Sequence, residues 1–147
     1  MPPQPGQLVV YSHNVLAQEL MRKLPAAVRD NLLTLRKAER FALLAAQIMG
    51  ADADVVLLQE VTPDFHQFLQ ECFPAAFIHW HLMRRPERGD CAFGNLVMVR
   101  DPQRVTRQFV LPYAGGSKPR HAVGATLHLG EGRLVNVVSV HVNFIPA

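Results

Sequence analysis

Cysteine is scarce in this chain: only Cys72 and Cys91 occur among 147 residues. Two thiols cannot build a disulfide scaffold, and no CxxC or Cys/His spacing suggests zinc. Both read as buried thiols in a reducing compartment. No apolar stretch reaches the roughly 18 residues of a membrane span. The N-terminal MPPQPGQ lacks the basic patch and apolar run of a secretory signal. Internal repeats and low-complexity tracts are absent. A strong charge of one sign is lacking too, since 15 basic and 12 acidic residues leave a formal net charge of +3. That balance fits an anionic substrate, but many ordinary domains share it. A soluble, intracellular protein of the cytoplasm or nucleus is the expectation.

What is present is enough apolar material for a core, 49% of the chain, at a length usual for one domain. LVVYS at residues 8–12 reads as a short strand. From 32 to 49, Leu35, Phe41, Leu44, Ala45, Ile48 and Met49 recur at helical spacing, and Gly50 follows where a C-cap belongs. DVVLLQE at 54–60 predicts a central strand covered on both faces. Thr62-Pro63 then opens a helix to about Phe73, burying Phe65, Phe68, Leu69 and Cys72. Downstream, residues 77–82, 95–100, 103–111, 121–129 and 133–142 read as strands with no helical window between them. Gly130-Glu131-Gly132 marks a hairpin. This order predicts an α/β fold: one main mixed sheet with flanking helices, both on the same side.

Three polar residues stand near strand ends. Glu60 closes a buried strand, where carboxylates project into the crevices in which open α/β sheets bind ligands. It reads either as a ligand for a hard cation, which one or two carboxylates can hold, or as a solvated strand-end residue. Asn14 lies just past the first strand and His141 near the end of the last. Alternation places the small Ser12 and Ser139 on their respective faces. Each alone is an ordinary hydrogen-bonded polar group; together they could orient a metal and a phosphoryl oxygen. His79 and His81 share a strand face, as a metal pair or a plain surface strand. Gly115-Gly116-Ser117-Lys118 reads as a hairpin connection. Arg84, Arg85 and Arg88 form a basic loop, either solvated or able to track a phosphate backbone.

RFALLAAQIMGADADVVLLQEV at 40–61 resembles the helix and LQE strand of the endonuclease/exonuclease/phosphatase superfamily, closest to its tyrosyl-DNA phosphodiesterase type-two branch. YSHNVL at 11–16 sits where that family has its Asn-bearing first strand, with Ser-His in place of the usual Thr-Trp. GNLVMVR at 94–100 resembles its Gly-Asn strand, and Arg120 with Val140-His141 resembles its Arg-led hairpin and catalytic histidine strand. The resemblance implies a Mg²⁺- (or Mn²⁺-) dependent phosphoesterase or phosphodiesterase. Glu60 would bind the metal, Asn14 would support it or the phosphate, His141 would donate to a phosphoryl oxygen, and Arg120 would assist substrate binding. Nucleic acid or a phosphorylated small molecule would be the substrate.

The family's later Asp-x-Asn, Gly-Asp-x-Asn and Asp-His motifs do not occur in these residues. Residues 1–147 therefore read as one incomplete domain, about half of a four-layer α/β sandwich and roughly the first of its two sheets. The alternative function is a non-catalytic module that binds a phosphate-bearing partner or a complementary chain. With two helices able to cover only one sheet face, self-association or docking onto a second chain is expected.

Overall fold

The structure, a computed structural model, describes residues 7–17, 25–27, 37–83, 92–115 and 118–142. Its elements run β1 (Val10–Asn14), α1 (Lys37–Gly50), β2 (Val55–Val61), α2 (Pro63–Cys72), β3 (Phe77–Met83), β4 (Phe93–Val99), β5 (Val105–Gly115), β6 (Lys118–His128) and β7 (Leu134–Ser139). The apolar spacing in α1 buries Phe41, Leu44, Ala45 and Ile48 along one stripe. Pro63 begins α2 directly after an extended Thr62. The Thr62 hydroxyl donates to the Asp64 carboxylate rather than capping the helix, and Asp64 accepts from the Phe65 amide at 2.9 Å.

The strands form two sheets rather than the single main one the element order suggested. The first has the order β1-β2-β4-β3, with β1 and β2 parallel and the other pairs antiparallel. The second is the antiparallel meander β5-β6-β7. Both helices pack on one face of the first sheet, against Val56, Leu58, Val61, Leu96 and Met98. Its other face presents Val55, Val97 and Val99 to Val123, Ala125, Leu127 and Val137 of the second sheet. The face expected to need a second chain is thus covered from within, because the inward parities of β6 and β7 are themselves apolar. The result is three stacked layers: helices, sheet, sheet. A mixed α/β architecture with both helices on one side is borne out.

Three other expectations fail. Met49 is 58% exposed, one residue off the stripe that buries Ile48. Cys72 is an exposed free thiol, since α2 buries only Phe65 and Leu69 and leaves Phe68 half-covered. The strands expected to end at 111 and to begin at 121 run further, β5 to Gly115 and β6 from Lys118, on either side of the hairpin connection expected there. Leu35, Gly116, Ser117, Arg84, Arg85, Arg88 and Cys91 lie outside the described residues.

The unmet apolar surface has moved outward. On and beside the second sheet, Leu111 is 49% exposed, Leu134 62%, Val140 42% and Val142 72%. Three of these, Leu134, Val140 and Val142, lie on or just past β7, an edge strand among the described residues, and exposed apolar side chains at a sheet edge favour pairing. The chain expressed alone should therefore gain mass with concentration in light scattering. A dispersed monomer at every concentration that binds no hydrophobic dye would contradict this.

Candidate functional site

The parallel β1–β2 pair places the ends of both strands side by side, with Asn14 opposite Gln59. In β2 the pairing with β4 jumps between Leu58 and Val61, so Gln59 and Glu60 together oppose Asn95. Glu60 sits in this bulge with φ of 59°. Left-handed backbone at a glutamate costs roughly 1–2 kcal/mol and persists only where surrounding contacts over-determine it. Those contacts are present. The Glu60 side chain is buried at 6% exposure. Its Oε1 accepts from Asn14 Nδ2 at 3.0 Å and lies 3.4 Å from His141 Nε2. Its Oε2 accepts from the Ala17 amide at 3.1 Å.

Each partner is itself held. The Asn14 Oδ1 accepts from the Leu16 amide at 2.9 Å, fixing the turn after β1. The Arg40 guanidinium of α1 donates to the carbonyls of Val15 and Leu16, tying that turn to the helix. The Tyr113 hydroxyl of β5 donates to the His141 carbonyl, and the His141 ring lies 6.2 Å from that of Phe93. On the helix side, Trp80 Nε1 donates to the Val61 carbonyl at 3.2 Å and its ring stacks on His66 at 4.6 Å. Burial holds the His66 imidazole below its usual pKa.

Asn14, Glu60 and His141 therefore come together from three distant segments. No hydrogen bond or ion pair among the described residues joins Arg120 to them. Arg120 stands opposite Tyr113 on β6, half-buried, and its Nε is buried with no hydrogen-bond partner. His79 and His81 face the second sheet, where His79 Nδ1 lies 3.4 Å from the Gly124 carbonyl. Ser12 is exposed at the side of β1.

Sequence reasoning missed the bond that sets the two sheets in register here. Ser139, 1% exposed, donates to the Leu58 carbonyl at 2.8 Å and accepts from Gln59 Nε2 at 3.0 Å. It read only as a small residue on the face of His141; in the fold it joins the strand leading to His141 with the strand carrying Glu60. Ser139→Ala strips the Gln59 amide and the Leu58 carbonyl of this partner. The expected cost is about 1–3 kcal/mol, read as a lower urea midpoint.

A model of the endonuclease/exonuclease/phosphatase family matches residues 11–143, from the strand bearing Asn14 to just past His141. The chain belongs to that family. Solved structures agree in fold. A D. rerio TDP2 humanized by 14 mutations superposes with a TM-score of 0.58 at 17% identity, covering 90% of this chain and 49% of that one. D. rerio TDP2 complexed with a single-strand DNA product gives 0.59 at 21% identity, with 88% and 43% covered. ANGEL2, a 2′,3′-cyclic phosphatase, gives 0.67 at 15% identity, with 89% and 39% covered. The chain thus spans less than half the length of each. No curated protein matches it. Within the family the chain has the fold of a phosphodiesterase- or phosphatase-type domain. Among the described residues, no helix is long and apolar enough to cross a membrane, and no three His, Cys, Asp or Glu side chains form a metal-binding group.

Proposed function

We propose that this chain contributes the Asn14–Glu60–His141 part of a divalent-metal phosphoesterase site acting on a phosphate ester of nucleic acid or of a phosphorylated small molecule. The observation that carries the reading is the strained, buried Glu60, whose carboxylate accepts from Asn14 and stands 3.4 Å from His141 Nε2. ANGEL2 is a cyclic phosphatase and a TDP2 structure holds a DNA product, which supports a nucleic-acid ester. An intracellular setting, cytoplasm or nucleus, belongs to the same reading.

The donor set fits Mg²⁺ or Mn²⁺ in a limited way. A carboxylate offers about four lone-pair directions, and the Asn14 and Ala17 hydrogen bonds use two of them, with His141 Nε2 3.4 Å from Oε1. The remaining directions suit a hard cation that keeps most of its waters. When bound, such an ion neutralises charge on phosphoryl oxygen and acidifies a bound water. Asn14 and the Ala17 amide hold the Glu60 carboxylate in place. His141, whose Nε2 lies 3.4 Å from Glu60 Oε1, would turn that N–H to a phosphoryl oxygen when substrate is bound, with Tyr113 holding its backbone carbonyl. Arg120, with its unpartnered Nε, assists at the substrate's phosphate.

No counterpart of the family's later acids occurs in these residues, and general acid–base help of the kind they supply is typically worth about 10²–10⁴ in rate. This chain alone should accordingly bind a nucleoside monophosphate with Mg²⁺, moving the His141 ring resonances, yet hydrolyse phosphodiesters near background. Unmoved His141 resonances would defeat the proposal. Robust turnover that vanishes in Glu60→Ala would show that residues within this chain replace the missing acids. The engagement of both Glu60 oxygens by donors within the chain favours a second reading, a non-catalytic module that binds a phosphate-bearing partner. That reading predicts phosphate binding indifferent to Mg²⁺.

A further inference from the structure

The level of the fold that carries Glu60 continues sideways across both sheets. In the first sheet, Asn95 of β4 stands opposite the Glu60 bulge on one side and opposite His81 of β3 on the other. In the second, Val123 pairs with Ser139, which puts His121 and His141 at matching positions two residues further along. The His81 and His121 rings meet across the gap between the sheets, edge to face, with centroids 4.9 Å apart. Both are half-buried.

Between them and Glu60 lies Asn95, fully buried at 0% exposure. Its Nδ2 crosses to the second sheet and donates to the His121 carbonyl at 2.8 Å, which fixes the amide's orientation. Its Oδ1 is buried and accepts no hydrogen bond. A buried acceptor left without a donor costs free energy, and such groups mark places where a missing donor belongs.

We infer that His81, His121 and Asn95 form a nucleobase subsite beside the Asn14–Glu60–His141 cluster. The chemistry favours a neutral, planar, donor-bearing group. Two imidazoles offer the aromatic faces and edges on which bases stack, and Asn95 Oδ1 offers an acceptor for an exocyclic amino or ring N–H. A phosphate would set its negative oxygens against that acceptor. Burial, together with the neighbouring His121 and His79, holds the His81 imidazole below its usual pKa, so His81 is a poor cation for an anion to meet. His81 stands two strand spacings from Glu60, about 10 Å, within the reach of one nucleotide from phosphate to base. The inference deepens the phosphoesterase reading and rests on it for where the phosphate lies.

The test titrates adenosine 5′-monophosphate and, separately, ribose 5-phosphate into the 147-residue chain with Mg²⁺, following histidine ring C–H resonances. The nucleotide is expected to shift His81 and His121, whereas the base-free sugar phosphate leaves them unmoved. His81→Ala should weaken nucleotide binding about tenfold or more without changing ribose 5-phosphate binding. His121→Ala, on the opposite sheet, should do the same and guards against a local defect in β3. Equal shifts from both ligands, no shift from either, or full preference for the nucleotide in both variants would overturn the subsite. Glu60→Gln separates the two proposals. If it leaves both ligands' affinities unchanged while His81 and His121 still respond to the nucleotide, the phosphate reading falls and the base subsite stands.

Discussion

Gly94→Ala is expected to cost this chain about 3 kcal/mol, the upper end of what overpacking a core does. Gly94 stands in β4 between β2 and β3, opposite Val61 and Leu82. A Cβ there would lie 2.0 Å from the His81 carbonyl oxygen, 2.7 Å from its carbon and 2.9 Å from Trp80 Nε1. The first two are backbone atoms of a paired strand, which cannot rotate away as a side-chain tip could. Relief requires β3 to move, and that displaces Trp80 from the Val61 carbonyl beside the Glu60 bulge. Domains of this size hold roughly 5–15 kcal/mol of stability, so the urea midpoint should fall steeply. A midpoint shifted by only a few tenths of a kcal/mol equivalent would show that the sheet yields there.

The second large effect belongs to Glu60. Glu60→Gln keeps the side chain's size but turns one oxygen into an NH₂ group that faces another donor, either the Asn14 amide or the Ala17 N–H. A stability loss of about 1–3 kcal/mol follows from that mismatch. Divalent-ion affinity should fall at least about a hundredfold, since losing even an outer partner of a metal ligand typically costs 10–100-fold. Asn14→Ala, which removes such a partner, should fall within that lower range. Affinity unchanged in Glu60→Gln would place any cation elsewhere.

Local patterns carried most of the elements. The stripe Phe41, Leu44, Ala45, Ile48 and the doubly apolar run Val55–Leu58 each have one good solution, and the chain adopts it. The second sheet was not legible, because alternation in β6 and β7 says which residues face inward but not which sheet lies opposite. Whether Val137 meets a helix, a partner chain or Val97 is settled by tertiary packing alone.

The site divides in the same way. Glu60, Asn14 and His141 stood out because polar residues at the ends of apolar strands are conspicuous. The bulge at Glu60 and the Ser139 bond to Leu58 left no mark, since backbone strain at a non-glycine residue and a serine on a strand both read as ordinary sequence. Asn95 hid for a similar reason. Its burial depends on β6 crossing over it, a contact between residues far apart in the chain.

The most direct test of the account is a Mn²⁺ titration of the chain, read by paramagnetic broadening of its NMR signals. The Asn14 side-chain amide, the Ala17 backbone amide and the His141 ring should broaden first, and the same signals should stay sharp in Glu60→Gln. Broadening that spares these three, or that persists unchanged in the variant, would contradict a metal site built on Glu60.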